Sequence, residues 1–321
     1  MMLARHAEDL FWAGRYIERA EDTARLLDVT YHGMLESPLL DPASAWRELL
    51  ELLYLEQAFT AKGLPVTDSA VTEFLVLDPG NAGSIVRSVA RARDNARNVR
   101  ERISTELWEA INILFLELHA RDLRADLERE PYQLYKFVKS RCQTISGVSA
   151  ETMSRDDGWR FLLLGRMLER AEMTCRLLSV RFGRSSHAAA PSDVHYWIAV
   201  LKSVSAFEAY LRAHRAQIEP QDVLEFLLLS REFPRSVLFA LRASESELVR
   251  LGGETAPSRP ERLLGRLRAD LEFMDIHEII DTGLPAALDS LQHGIIAVAE
   301  AVERYFFRAA APPELHVFES V

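Results

Sequence analysis

One segment of sixteen residues occurs twice in this chain, and the repetition constrains the fold more than any other feature. GRYIERAEDTARLLDV begins at Gly14, and GRMLERAEMTCRLLSV begins at Gly165, 151 residues later. The two copies are identical at 11 of 16 positions, whereas ordinary composition would supply about one match by chance. The sequence therefore indicates an internal duplication.

Other segments match at nearly the same spacing, which extends the repeat beyond one helix. Phe74 in TEFLVLDPGNAGSI corresponds to Phe226 in LEFLLLSREFPRSV, 152 residues later. A period of this length is far above the roughly 20 to 50 residues of solenoid repeats and indicates a tandem duplication. We therefore predict two helical repeats, residues 1–150 and 151–321, related by a pseudo-twofold axis, each large enough to bury its own core.

Apolar residues recur at helical spacing along almost the whole chain, and the alternation typical of strands is absent. Glycine and proline fall mainly between these periodic segments, as expected at helix ends. The pattern predicts an all-α protein, an internally duplicated helical bundle. The helices are expected roughly at 4–35, 42–62, 68–77, 81–127 with a break near 104, 131–149, 155–183, 192–216, 220–230, 233–251, 260–277 and 284–309.

Charge and hydropathy exclude several classes of protein. The net charge is -10, with 48 acidic and 38 basic residues, so the electrostatic pattern of a nucleic-acid-binding protein is missing. No apolar run reaches the roughly 18 residues of a membrane span, and charges interrupt the N-terminus where a signal peptide needs its apolar core. We expect a cytoplasmic protein that binds neither nucleic acid nor membrane.

Metal and redox sites have little support in the sequence. The two cysteines, Cys142 and Cys175, are too few for a disulfide framework or a four-thiolate metal site. His277 and Asp281 have i,i+4 spacing, but the Glu-x-x-His pairs of a di-iron bundle are absent. Nucleotide-binding and hydrolase motifs are also absent. We predict no metal and no cofactor bound by this chain itself.

The repeated segment forms, on a helical wheel, one broad apolar arc opposite a charged face. The charged side chains keep their identity in both copies, although exposed substitutions generally change stability by less than about 0.5 kcal/mol. Asp22 is replaced by Met173, a change expected at a solvent-exposed position. Ten retained charges are the candidates for binding a substrate or a partner: Arg15, Glu18, Arg19, Glu21, Arg25, Arg166, Glu169, Arg170, Glu172 and Arg176.

Three explanations for the retained charges stay open. Local i,i+4 pairing, as between Glu21 and Arg25, contributes only about 0.2 to 0.5 kcal/mol and is too weak. The two copies could instead pack closely at Gly14 and Gly165 and form a buried, mutually neutralising network. Alternatively, the arginines bind phosphate or carboxylate in an open cleft while the glutamates orient them or accept protons. In an open cleft, Glu169→Gln would leave the fold nearly unchanged and impair function.

Five further polar residues form a second tier of candidates. Three of them surround a tryptophan in ELWEAIN and could face the same cleft as the repeated helix. Two precede the second copy in RDDGWRFL and most simply cap that helix. These residues are Glu106, Glu109, Asn112, Asp156 and Asp157.

Several segments, in order along the chain, resemble the bacterial alpha-E family. They are MLARHAEDLFWAGRYIERAEDTARLLD from Met2, NARNVRERISTELWEAIN from Asn95, SRDDGWRFLLLGRMLERAEMTCRLL from Ser154 and FPRSVLFAL from Phe233. The resemblance implies an all-helical protein that works with a circularly permuted ATP-grasp protein, with a transglutaminase-like peptidase often encoded nearby. It implies no established catalytic residue.

The resemblance also suggests a role in forming or processing amide or peptide bonds. ATP and Mg²⁺ would then belong to the ATP-grasp partner. Our leading hypothesis is an accessory or docking protein of such a ligase, contributing a surface lined by Glu and Arg or part of the substrate site. The alternative is a stand-alone enzyme acting on peptide or amide substrates at a central Glu and Arg site.

Overall fold

The computed structural model describes residues 2–36, 41–183, 194–214, 217–253 and 256–308, and no strand occurs within these ranges. The predicted all-α class is confirmed. The helices are α1 (Ala4–Glu36), α2 (Pro42–Leu52), α3 (Glu56–Thr60), α4 (Asp68–Val76), α5 (Ile85–Asn98), α6 (Thr105–Ala120), α7 (Leu123–Arg129), α8 (Pro131–Thr152), α9 (Asp157–Gly183), α10 (Val194–Ser203), α11 (Phe207–Ala213), α12 (Pro220–Leu229), α13 (Val237–Gly252), α14 (Arg259–Glu272), α15 (Ile276–Thr282) and α16 (Leu284–Val302). A short 3₁₀ turn covers Arg100–Arg102 and a π-helical turn covers Glu303–Phe307.

Two helix breaks lie where the sequence has neither glycine nor proline. The expected helix at 42–62 is divided between α2 and α3, where Tyr54 adopts a left-handed backbone with φ of 56°. The expected helix at 192–216 is divided in the same way, and Ser205 has φ of 53°. Because side chains of this kind rarely adopt positive φ, no turn signal predicts either break.

The two copies of the repeated segment lie on α1 and α9, which cross in direct contact. A Cβ atom at Gly14 would overlap the carbonyl oxygen of Leu162, and one at Gly165 would overlap the carbonyl oxygen of Phe11. The two contacts are reciprocal, since each glycine faces the residue three positions before the other glycine. The absent side chains let the two backbones approach closely.

The remaining helices surround this central pair. Helices α5 and α8 pack on α1, and α13 and α16 pack on α9. In the described ranges, the order of α1 to α8 is repeated by α9 to α16, with α4 and α12 starting 152 residues apart. A duplication would produce this order. The duplication itself, and its boundary after residue 150, stay predictions.

The position of α1 and α9 determines where their charges lie. A continuous apolar core extends from residues such as Phe11 and Leu27 on α1 to Leu168 and Leu178 on α9. Because other helices cover both, their charged faces point into the molecule. None of the helices that the structure describes is both long and apolar enough to cross a bilayer.

Candidate functional site

The charged face of the repeated helix is buried. Glu18 is 0% exposed, Glu169 is 3% exposed and Asp22 is 4% exposed. The interpretation of the Asp22 to Met173 difference as drift on a solvent-exposed face is therefore wrong. A helix packed on several sides has no solvated face, and the helical wheel of one segment cannot distinguish that case from a surface helix.

Two arginine–glutamate pairs connect α1 and α9 in reciprocal fashion. Arg19 donates from Nε to Glu169 Oε1 at 2.6 Å and from Nη2 to Oε2 at 3.0 Å. Arg170 donates from Nε to Glu18 Oε1 at 2.7 Å and from Nη2 to Oε2 at 2.9 Å. Each carboxylate thus receives a two-pronged, charge-assisted contact from the opposite helix.

Arg15 adds a third connection between the helices. Its Nε donates to Glu169 Oε2 at 2.6 Å, and its Nη2 contacts Glu172. The guanidinium also lies 5.4 Å from the ring centroid of Trp12, close enough for a cation–π contact. Glu169 is therefore shared by Arg15 and Arg19.

The two i,i+4 pairs are present inside this network and extend it outwards. Arg25 contacts Glu21, and Arg176 contacts Glu172. Arg25 also donates to the Ser205 hydroxyl in the break between α10 and α11. Local pairing and the buried network are thus parts of one structure.

Sequence reasoning missed Arg235, which precedes α13. Its Nη1 donates to Glu18 Oε1 at 2.8 Å and to Asp22 Oδ1 at 2.7 Å, and its Nη2 donates to Glu21 Oε1 at 2.7 Å. Thr174 fixes this segment by donating to the Arg235 carbonyl oxygen at 3.0 Å. One guanidinium therefore serves three carboxylates of α1.

A signal for Arg235 exists in the alignment of the two halves. Arg235 stands opposite Gly83, and Asp22 stands opposite Met173. The first half thus has the carboxylate and the second half has the arginine, each at a position where the other half has an uncharged residue. Two differences that compensate each other in charge indicate contact in space, although they lie far apart in sequence.

Opposing effects determine the ionisation of the two central glutamates. Burial by itself raises the pKa of Glu18, but Arg170 and Arg235 outweigh it and hold the pKa at about 2. Burial likewise raises the pKa of Glu169, and Arg19 and Arg15 bring it down to about 2. Both carboxylates are therefore ionised at neutral pH.

Asp22 has the opposite balance. Burial raises its pKa to about 7, Arg235 opposes the shift, and the neighbouring Glu18 and Glu21 add to it. Its Oδ2 is buried and has no hydrogen-bond partner among the described residues. A shared arginine thus compensates Asp22 less well than Glu18, which Arg170 also contacts.

Arg166 is the one member of the repeated set that the structure leaves without a carboxylate. Among the described residues it forms no ion pair, and its Nε is buried without a hydrogen-bond partner. Burial lowers the pKa of Arg166 to about 10, and repulsion from Arg170 adds to the effect. Its counterpart Arg15, by contrast, contacts two glutamates.

The second-tier candidates lie away from the buried charges. Glu106 and Glu109 are exposed on α6, and Asn112 accepts a hydrogen bond from Arg93 Nε at 3.2 Å. The structure therefore does not bring these three together with the repeated helix. Asp156 Oδ1 accepts from the backbone of Trp159 at 3.2 Å and caps α9, as expected.

The last residues singled out by the sequence are Asp157 and the pair His277 and Asp281, which are candidates for a metal site. Asp157 pairs with Arg160 at 3.1 Å. Across the described part of the chain, no group of three His, Cys, Asp or Glu residues is placed to hold a metal ion. The side chain of Asp281, which has i,i+4 spacing from His277, lies outside the described residues.

Two grooves lie on the surface near α12, and one of them borders the charged residues of α9 at Pro234, whose carbonyl oxygen accepts from Arg170 Nη1 at 3.2 Å. The larger has a volume of about 770 Å³ and is lined by α11, α12 and the segment that ends at Pro234. The smaller, of about 410 Å³, is lined by α12, Phe273, Met274 and the start of α15. Both include Glu225 and Leu229. We call these two grooves together the α12 surface.

A family model named Alpha-E, described as a predicted alpha-helical domain with a conserved ER motif, matches residues 2–307. Glu-Arg dipeptides occur in both copies of the repeated helix, at Glu18–Arg19 and Glu169–Arg170. Uncharacterised proteins of Mycobacterium bovis and Mycobacterium tuberculosis are similar, at 30% and 29% identity over 314 residues.

The alignment with these relatives includes 91% of this chain but only 35% of the relatives, so the chain spans about a third of their length. No solved structure is significantly similar to the chain. Since the family model matches nearly all of its residues, this chain belongs to the Alpha-E family.

Proposed function

We propose that this chain is an accessory or docking protein of an ATP-grasp amide or peptide ligase system, with a circularly permuted ATP-grasp protein as its partner. In this proposal ATP and Mg²⁺ are bound by the partner, which performs the ligation in the cytoplasm. The relatives, about three times as long as the matched segment, support a helical unit that works together with other protein parts.

The main support for an accessory role is that the central glutamates of the repeated helices are buried and paired with arginines. A general acid, a base or a nucleophile has to reach its substrate. Glu18 and Glu169 are buried, and each is held by two arginines. Apart from Arg166, the repeated charges are thus occupied with one another, which favours architecture over a stand-alone enzyme at this centre.

The α12 surface is the best-supported place for the partner to dock. Phe273 is 85% exposed and lies at the edge of the smaller groove. Leu229 contributes apolar area to both grooves. A large exposed aromatic side chain beside concave surface is typical of protein interaction sites.

Complex formation with the ATP-grasp protein of the same genome tests the proposal. We expect the two proteins to co-elute in size-exclusion chromatography at micromolar concentration, through an interface above about 1,000 Å² if the complex is stable. Phe273→Glu should weaken the complex by about tenfold or more, because it places a charge in an apolar contact.

Leu116→Glu is the matched control, because Leu116 is 53% exposed on α6, away from the α12 surface. It should bind the partner as the parent chain does. The accessory role fails if the two proteins neither co-elute nor influence each other's ATP-dependent product formation. If both variants bind the partner equally well, the α12 surface is not the docking site, although the two proteins still form a complex.

A further inference from the structure

The buried and partly buried charges at the crossing of α1 and α9 do not sum to zero. Among the described residues, seven arginines of this cluster face five carboxylates. The arginines are Arg15, Arg19, Arg25, Arg166, Arg170, Arg176 and Arg235, and the carboxylates are Glu18, Glu21, Asp22, Glu169 and Glu172. Two positive charges are therefore in excess, in a region where charges without counter-charges are costly.

The excess is distributed differently on the two sides of the cluster. On one side Arg15 and Arg19 share Glu169, and Arg15 also contacts Glu172. Every arginine there has a carboxylate, because Arg176 contacts Glu172 as well. On this side three arginines share two glutamates, so no single arginine is without a counter-charge.

The other side differs because Arg235 has been added. By the reciprocity of the two helices, Arg166 is expected to contact Glu18 and Glu21, as Arg15 contacts Glu169 and Glu172. Arg235 occupies these two glutamates instead, at 2.8 Å and 2.7 Å. The excess charge on this side is therefore concentrated on one side chain, Arg166.

The Arg166 side chain is accessible from solvent. It is only partly buried, although its Nε is enclosed without a hydrogen-bond partner. The nearby cations Arg170 and Arg235 repel the charge of Arg166, and the carboxylates Glu18 and Glu21 attract it from a distance. Both arginines are engaged by carboxylates, whereas the terminal Nη groups of Arg166 have no hydrogen-bond partner among the described residues and are available for another group.

We propose that Arg166 is the central residue of an anion-binding site that takes a small solute carrying a carboxylate or a phosphate group. The planar guanidinium presents paired donors that match either group in bidentate geometry. Arg170 and Arg235 add attraction at a distance, while Glu18 and Glu21 limit the negative charge that the site tolerates. The site belongs to this chain alone and does not depend on the proposed ligase partner.

Thermal unfolding of the full chain with added anions tests this site. Inorganic phosphate and acetate are the two probes, each compared with chloride at equal ionic strength. At about ten times the dissociation constant, a ligand of the folded state should raise the melting temperature by about 2 °C or more, and the rise should saturate. A response to phosphate alone or acetate alone identifies the preferred group and supports the site.

The Arg166→Gln variant separates a specific site from general stabilisation by salt. It should lose the saturable response and melt no lower than the parent chain without anions, because it removes a charge that has no partner. Arg166→Lys keeps the charge without the bidentate geometry and should weaken the response by about tenfold. Arg250→Gln, at a position 57% exposed and paired with Glu247, should respond as the parent chain does.

The proposal is overturned if neither phosphate nor acetate produces a saturable response in the parent chain. An equal response in the parent and in Arg166→Gln would also overturn it, because the anions would then act elsewhere. If Arg166→Gln does not fold, the parent chain is compared with Arg166→Lys. An unchanged anion affinity in Arg166→Lys would show that Arg166 does not bind the anion and would overturn the proposal.

Discussion

Glu169 illustrates how one buried charge depends on its neighbours. Its two oxygens accept from Arg15 and Arg19 at 2.6 to 3.0 Å, and its side chain is almost fully removed from water. Replacing a whole buried ion pair by apolar residues is often harmless, whereas removing one partner leaves an uncompensated charge. Single substitutions in this cluster should therefore be much more damaging than their size suggests.

Glu169→Gln should lower the free energy of unfolding by about 3 to 5 kcal/mol, because the buried Arg15 and the partly buried Arg19 lose their common counter-charge. Denaturant unfolding at neutral pH measures the difference. Glu109→Gln, the same substitution at an exposed position on α6, should change stability by less than about 0.5 kcal/mol. Equal stability of Glu169→Gln and the parent chain would contradict the burial of this carboxylate.

Asp22 should make stability fall as the pH rises between about 4 and 7. Its pKa is raised to about 7 in the folded chain from an ordinary value of 3.8, so the folded state binds more protons in this interval than the unfolded state does. Stability is then highest below the ordinary pKa and declines as pH passes through the folded pKa. The full effect is on the order of a few kcal/mol.

Asp22→Asn should abolish this component of the pH dependence. The difference in unfolding free energy between variant and parent, measured in denaturant from pH 4 to pH 8, should therefore increase with pH in favour of the variant. Loss of stability below about pH 4.5 should persist in both, because Glu18 and Glu169 have pKa values lowered to about 2. A constant difference across the range would mean that Asp22 titrates normally.

At the scale of residues, the sequence predicts which charges are retained but not how they are arranged. The repeated segment singles out Glu18, Arg19 and the matching Glu169 and Arg170, since chance does not preserve charges so strictly. The role of Arg235 is not visible in one copy of the helix, because its partners are more than 200 residues away. Arg166 has no carboxylate partner because Arg235 contacts Glu18 and Glu21, and the sequence of the helix does not predict this either.

At the scale of elements, the crossing of α1 and α9 depends on two glycines. Backbone atoms of the opposite helix occupy the space where a methyl group would lie at Gly14 or Gly165. The sequence predicts close packing at these positions because both copies keep glycine within a helix, where it is otherwise unfavourable. The breaks at Tyr54 and Ser205 have no such signal, because tertiary contacts rather than local preference hold them.

Gly14→Ala should destabilise the chain by about 1 to 3 kcal/mol, because α1 and α9 have to separate to accept the methyl group. Gly33→Ala is a matched control in the same helix, since a Cβ at Gly33 meets no atom within 4 Å. It should be neutral or stabilising by up to about 1 kcal/mol. Thermal or denaturant unfolding of both variants measures the contrast, and similar losses in both would contradict the close crossing.

At the scale of the whole molecule, charged contacts connect the two predicted repeats in both directions. Arg25 on α1 reaches Ser205 between α10 and α11. Arg176 on α9 lies 4.6 Å from the ring centroid of Tyr54 between α2 and α3. An arginine of each central helix therefore contacts the helix break in the opposite predicted repeat. Neither repeat would form all of these contacts in isolation.

This interlocking predicts that the molecule unfolds as one cooperative unit, although the sequence suggests two halves that each bury a core. Helix α5 packs on α1 and α13 packs on α9, so their slowest amides should exchange with similar free energies of opening. Glu169→Gln should lower both by the same amount in native-state hydrogen exchange, because the shared charges stabilise both repeats together. Loss of protection confined to α13 and its neighbours would instead mean that the second repeat opens separately, and that the contacts at Ser205 and Tyr54 join two independently stable parts.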